Sequence, residues 1–275
     1  MSKAIKHIKA GLLHIEVIGQ IPERKGKRSR AARSKPTSPA QQFYNHKSSW
    51  REVELWLAAN FEGRDWVLTY TYDDTHLPAD KDAANRELQK HFRKLRTARG
   101  RRGEKLKYLY STEGFHGIGT DPVLGQDGAL EDRRIHHHVV LNDVGEGCLD
   151  EIRSLWHGGG YIRAEPLDVH YYAALAQYIT KEVRVLGGVK PGKRSWSKSR
   201  NLTPYKVEYI EIPSDSVTLT PPLGAVDYQP FHEKNPYGFA DCVGARYLLY
   251  PQPSQPKYSY TRGRKPNKDP STILS

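Results

Sequence analysis

Two histidines two residues apart, His136 and His138, lie in the run Arg134–Asn142, which is rich in β-branched and apolar residues. Such a run predicts a strand, and side chains alternate across a strand. His136 and His138 then share one face, while Ile135, His137, Val139 and Leu141 share the other. Two imidazoles on one face of a rigid strand can both ligate one divalent cation. Glu113 ends the preceding predicted strand, so in a hairpin pairing its carboxylate reaches the same face. Two imidazoles and one carboxylate leave coordination positions open on a metal. An open position lets a phosphate oxygen bind and be polarised. His116, out in the following loop, is a less favourable third donor.

A second group of reactive side chains follows. In the segment Val169–Arg184, Tyr178 and Lys181 are three apart and Tyr178 and Glu182 four apart. On a helix these spacings put all three on one face. Tyr171 stands two turns earlier on a similar face. A phenol has an ordinary pKa of about 10 and is a poor nucleophile near neutrality. A bound metal and a nearby ammonium favour the phenolate and neutralise a phosphate under attack.

Those residues need elements to hold them. Ser38-Pro39 signals a helix start, and Phe43, Trp50, Val53, Trp56 and Leu57 continue it to about Asn60. Residues 65–72 and 106–112 read as strands. Residues 82–99 read as an amphipathic helix with Leu88, Phe92 and Leu95 inward and Arg86, Lys90, Arg93, Lys94, Arg96 and Arg99 on its other faces. A Gly-rich loop spans 114–130. The histidine strand comes next, then a short helix at 148–156 stopped by Gly158-Gly159-Gly160, then the tyrosine helix at about 167–185. Strands are expected at 205–211 and 245–250. This order predicts an α+β fold, a central antiparallel β-sheet with helices packed on one face. Residues 1–37 carry ten basic residues against Glu16 and Glu23 and are read as a flexible basic N-terminal arm. The catalytic domain is expected over 38–211. Residues 212–275 form a C-terminal extension, expected to be disordered towards its end.

Charge and composition narrow the partners. The 275-residue chain has 43 Lys and Arg against 31 Asp and Glu, a formal net charge of +12, which favours a polyanion such as nucleic acid. Arg93 and Arg96, the N-terminal arm, and Arg194 and Arg200 are candidates to neutralise phosphates; Trp196 is a candidate to stack on an unpaired base. Cys148 and Cys242 are far apart, which excludes a disulfide framework or a cysteine zinc site and points to a reducing cytoplasm. No segment approaches the roughly 18 apolar residues of a membrane span, and no apolar signal-peptide core is present, so no membrane partner is expected. A GxxxxGK[ST] loop is absent too.

Together these residues resemble the HUH endonucleases, named for two histidines separated by one residue, and above all the replication initiators of bacteriophages and rolling-circle plasmids. Val67–Tyr72 resembles the family's first strand motif. Arg134–Leu141 matches its metal strand, and Tyr178-Ile179-Thr180-Lys181 its catalytic tyrosine motif. Ser197–Leu202 resembles a serine-arginine-asparagine segment found after that helix in phage-type initiators. The likeness runs from about residue 40 to 205. Conjugative relaxases carry the tyrosine before the histidines; here it comes after, as in an initiator or a small transposase. Two positions depart from the pattern. The middle residue of the histidine motif, usually bulky and apolar, is His137, and the place of a second tyrosine four residues on is Glu182.

The resemblance implies a palm-like fold with Mg²⁺ or Mn²⁺ on His136, His138 and Glu113. It implies attack by Tyr178 on single-stranded DNA at a replication origin, giving a 5′-phosphotyrosine and a free 3′ hydroxyl, with Lys181 assisting at the phosphate or the leaving oxygen. A host or partner helicase and a DNA polymerase complete the expected partners. With no second tyrosine at 182, the expectation for termination is that Glu182 activates water, with Tyr171, Tyr172 or a second protomer as substitutes. Transposon-end cutting, non-catalytic DNA binding by a replication regulator and RNA binding are the alternative readings.

Overall fold

The computed structural model describes residues 3–20, 39–114, 120–124, 130–181, 195–212, 218–233 and 242–251. Its first elements are β1 (Lys3–Ala10) and β2 (Leu13–Gln20), paired antiparallel. Residues 3–20 are therefore not part of a flexible arm. Ala4, Ile8 and Ala10 on β1, with Leu13 and Ile15 on β2, alternate into the core, as one buried sheet face requires. Gly11 makes the two-residue turn at φ +57°, and a Cβ there would stand 2.0 Å from the Ala58 carbonyl oxygen. Residues 21–38 lie outside the described part.

The chain continues with α1 (Pro39–Asn60), β3 (Trp66–Tyr72), α2 (Lys81–Arg101) and β4 (Tyr108–Glu113). A hairpin of β5 (Thr120–Leu124) and β6 (Leu130–Arg134) replaces much of the expected loop at 114–130. Next come β7 (His136–Leu141), α3 (Cys148–Ser154), β8 (Gly159–Pro166) and α4 (Tyr172–Ile179). The last elements are β9 (Trp196–Lys198), β10 (Lys206–Glu211), β11 (Ala225–Glu233) and β12 (Cys242–Leu249).

The fold is α+β, as expected, with two antiparallel five-stranded sheets. The first, the site sheet, has the order β8-β3-β7-β4-β9. On one of its faces lie α2 and α3: Leu88, Phe92 and Leu95 of α2 and Ile152 of α3 pack on Tyr70, Tyr108, Val139 and Leu141. Asp80 caps α2 by accepting a hydrogen bond from the Ala83 amide at 2.6 Å, a contact typically worth about 1 kcal/mol. The opposite face, through Val67, Leu109 and Val140, packs on Val53 and Leu57 of α1 and Ala176 and Ile179 of α4.

The second sheet was not expected. Its order is β10-β1-β2-β12-β11, and Ile8, Leu13, Ile15 and Leu248 close the same core over α1. It draws on both termini of the described chain, so 38–211 does not close on itself, and β11 and β12 of the expected C-terminal extension are part of this sheet. Buried Glu54 of α1 pairs with Arg246 of β12 and ties helix to sheet.

Candidate metal centre and nucleophile

The three expected ligands meet. Glu113 is the direct cross-strand partner of His136 in the β4–β7 pairing, and Ser111 that of His138. Gly114 ends β4 at φ +121°, where a Cβ would stand 2.5 Å from Ile135 Cα. Only a residue without a side chain lets the strands approach so closely at this end. Leu109 and Val140 are covered by α1 and α4; further along the same face stand Ser111, Glu113 and His138, all buried, and the half-buried His136.

Glu113 Oε2 is 3.5 Å from Nε2 of both His136 and His138, and the two Nε2 atoms are 3.2 Å apart. Two ligands each about 2.1 Å from one ion lie about 3.0 Å apart at a right angle and about 3.4 Å apart at a tetrahedral one. The donors already have that spacing. His136 Nδ1 is 2.8 Å from the Arg134 carbonyl, to which it donates, leaving the Nε2 lone pair for the cluster. His138 Nδ1 is 3.3 Å from the Thr69 hydroxyl. Such outer partners fix the tautomer and aim of a ligating imidazole.

The electrostatics suit a cation. Burial pushes the Glu113 carboxyl up, but the facing imidazoles and the Lys181 ammonium outweigh it and hold the group well below the usual carboxylate range. Burial lowers the His138 pKa despite the opposing pull of Glu113, which keeps its lone pair available. Glu113 Oε1 and Ser111 Oγ are buried on this face without a hydrogen-bond partner. An unsatisfied buried carboxylate oxygen is costly, and an ion beside it removes that cost. The chemistry and spacing of Glu113, His136 and His138 therefore fit a metal ion, and this buried group could hold one.

His137 resolves the first departure from the motif. It points to the α2 side and is fully buried. Thr112 Oγ1 donates to Asn85 Oδ1 at 2.6 Å, so at 2.8 Å it accepts from His137 Nδ1. The Tyr72 hydroxyl lies 2.6 Å from His137 Nε2 and 3.3 Å from the Ala84 carbonyl. Burial pushes the His137 pKa down to about 3, so the ring is a neutral core residue with both nitrogens used.

Tyr178 stands at the edge of the cluster. Its ring lies 4.6 Å from that of His138 at 60°, and 47% of the residue is exposed. Lys181 Nζ is 2.8 Å from Glu113 Oε2 and 3.8 Å from the centre of the Tyr178 ring. Beside the phenol, Thr69, His138, Arg163, Glu165 and Leu175 line a recess of about 180 Å³. Arg163 and Glu165 lie on β8, a strand the sequence reading missed. The tyrosine helix is shorter than expected. Asp168 caps a 3-10 turn at Val169–Tyr171, accepting from the His170 amide at 2.9 Å, and the Thr180 hydroxyl bonds back to the Ala176 carbonyl at 2.8 Å. Tyr172 is buried, with its hydroxyl on the Phe61 carbonyl at 2.6 Å. Tyr171, 63% exposed, lines a different recess with Asp227 and Gln229. Neither joins the cluster. Glu182, Arg194 and His116 lie outside the described residues.

The expected DNA contacts divide. Arg93 and Arg96 are exposed on α2, which covers the face opposite His136 and His138. Lys90, Arg93, Lys94 and Arg101 line a groove of about 500 Å³ beside Trp156 and His157. Arg99, placed by the sequence on the solvent side, is buried and bonds the Asn142 carbonyl at 3.0 Å and Glu151 at 3.3 Å. Trp196 is not a free stacking platform: it packs against the core, and its indole donates to Ser49 Oγ at 3.2 Å. Arg200 is exposed, in a turn held to the site sheet by Ser199 Oγ, which accepts from the Tyr108 amide at 3.2 Å, and by Asn201, which donates to the Leu106 carbonyl at 3.1 Å. Among the described residues no helix is long and apolar enough to cross a membrane. The chain matches no protein-family model, no curated protein and no solved structure.

Proposed function

We propose that this chain is a divalent-metal-dependent nicking and joining enzyme for single-stranded DNA that initiates rolling-circle replication. One observation carries the reading: two imidazoles and a carboxylate converge beside a half-exposed phenol, and one ammonium touches both the carboxylate and the phenol ring. Mg²⁺ or Mn²⁺ on Glu113, His136 and His138 would neutralise charge on the scissile phosphate; both ions accept carboxylate and phosphate oxygens in open positions. Tyr178 Oη attacks phosphorus, the bond to the 3′ oxygen breaks, and the phenolic proton ends on that oxygen. The products are a 5′-phosphotyrosine and a 3′ hydroxyl, which a polymerase extends. Attack by a 3′ hydroxyl on the phosphotyrosine reverses the step and joins the strand. Lys181 offsets the charge that builds on the phosphoryl oxygens.

The origin context rests on the motif order, histidines before tyrosine. A host or partner helicase and a DNA polymerase are the partners this reading assigns. Arg93 and Arg96, on the far face, are assigned to DNA flanking the cut and contribute salt-dependent affinity.

The test is a denaturing gel of labelled single-stranded origin DNA incubated with the protein and Mn²⁺. A covalent adduct is expected, absent with EDTA and absent in Tyr178→Phe while DNA binding persists. Tight binding of cognate DNA by the wild type without an adduct would replace this reading with that of a regulator.

A further inference from the structure

The second sheet repeats the arrangement that builds the first cluster. In the site sheet two donors stand two residues apart on β7, and Glu113 of β4 is the direct cross-strand partner of one of them. On β2, His14 and Glu16 stand two residues apart, and His7 of β1 is the direct cross-strand partner of Glu16. Two imidazoles and one carboxylate thus recur on an antiparallel pair, with one donor directly opposite one of two donors spaced two residues apart. Ala4, Ile8, Leu13 and Ile15 face the core, so by alternation His7, His14 and Glu16 share the outer face.

The contacts agree with the register. His7 Nε2 is 3.1 Å from His14 Nδ1 and 3.9 Å from Glu16 Oε1. Tyr247 of β12 lies cross-strand from His14 and stacks on its ring at 5.4 Å and 20°. Its hydroxyl donates to Glu16 Oε1 at 3.0 Å. Burial lowers both imidazole pKa values. The neighbouring ammonium of Lys9 is paired with Glu208 at 3.1 Å. This set is more open than the first: among the described residues only Glu113, His136 and His138 have all donor atoms within 4.8 Å of one another. The Glu16 side chain is 20% exposed and can turn to close the gap.

We propose that His7, His14 and Glu16 form a second metal site that takes zinc. Two histidines and one glutamate are a zinc donor set, completed by water in a tetrahedron. The ion would clamp β1 to β2 and, through Tyr247, to β12, holding the sheet that covers α1. The proposal does not depend on the nickase reading.

The test uses the full chain carrying His136→Ala and His138→Ala, which removes the first site. Zinc is titrated against a chromogenic chelator, and thermal unfolding is followed with and without zinc. One bound equivalent and a zinc-dependent rise in Tm are expected. Adding His7→Gln and His14→Gln should abolish both, and adding Glu16→Gln alone should weaken zinc binding at least about tenfold. In the chain with His136 and His138 intact, His7→Gln with His14→Gln should retain one equivalent, which shows that the protein still folds. No zinc uptake by the His136→Ala, His138→Ala chain overturns the proposal, as does uptake that survives the loss of His7 and His14.

Discussion

Lys181 Nζ contacts Glu113 Oε2 at 2.8 Å and lies 3.8 Å above the centre of the Tyr178 ring. A single ammonium thus joins the Glu113 carboxylate to the phenol. Under the proposed function, a divalent ion held by Glu113 would take over neutralisation of that carboxylate and leave Lys181 free for a phosphate.

Lys181 is therefore expected to act on the transition state more than on binding. Lys181→Met should slow adduct formation by about 10²- to 10³-fold, the range for loss of one donor at a developing oxyanion. Affinity for single-stranded DNA should fall only slightly. Single-turnover kinetics at saturating Mn²⁺ separate the two, and an unchanged rate would remove Lys181 from the mechanism.

Thr69 aims His138 through its Nδ1 at 3.3 Å. Thr69→Val should weaken Mn²⁺ binding by about 10- to 100-fold, as loss of an outer partner commonly does. Titration of Mn²⁺ by the decline of its free electron paramagnetic resonance signal reads this directly. Equal affinity in variant and wild type would mean the hydroxyl does not orient the ring.

His137 serves the core, so its partners should matter for stability and not for metal. Tyr72→Phe leaves the buried Nε2 and the Ala84 carbonyl without the hydroxyl and should cost about 1–3 kcal/mol, measured by urea unfolding. Mn²⁺ affinity should stay the same. A marked loss of affinity without destabilisation would instead place His137 in the metal site.

His91 gives a pH dependence. Burial among aromatic rings pushes its pKa down to about 4 from an ordinary 6.5. Between those values the unfolded chain holds the proton and the folded one does not. Stability is therefore full above about pH 6.5 and falls as pH drops towards 4, by about 1.4 kcal/mol per pH unit. Below that the contribution is flat. His91→Gln, which can still bond the Tyr70 hydroxyl, should flatten the profile by roughly 3 kcal/mol between pH 7 and pH 4. Parallel profiles for variant and wild type would show that the ring is not held neutral.

Local chemistry made much of the site legible in advance. Alternation alone put His136 and His138 on one face and His137 on the other, because a strand has a period of two. Helical spacing put Tyr178 beside Lys181. The ends of α1, α2 and β3 fell within about two residues of the expected ones, where Pro39, Asp80 and Asp73 act on the backbone directly. The hairpin of β1 and β2 also had a local signature, Ala4, Ile8, Ala10, Leu13 and Ile15 around Gly11, but the charge of the following segment masked it.

Other features needed the assembled chain. That Trp196 spends its indole on Ser49, that Arg99 is buried against Glu151, and that Arg93 and Arg96 face away from Tyr178 follow from which sheet face each element covers. No periodicity within a segment encodes that choice. The second sheet joins residues more than two hundred positions apart, as in the pairing of Val243 with Ile18. Such pairing is decided by burial of a shared core over α1, a free energy that exists only once the distant strands have met.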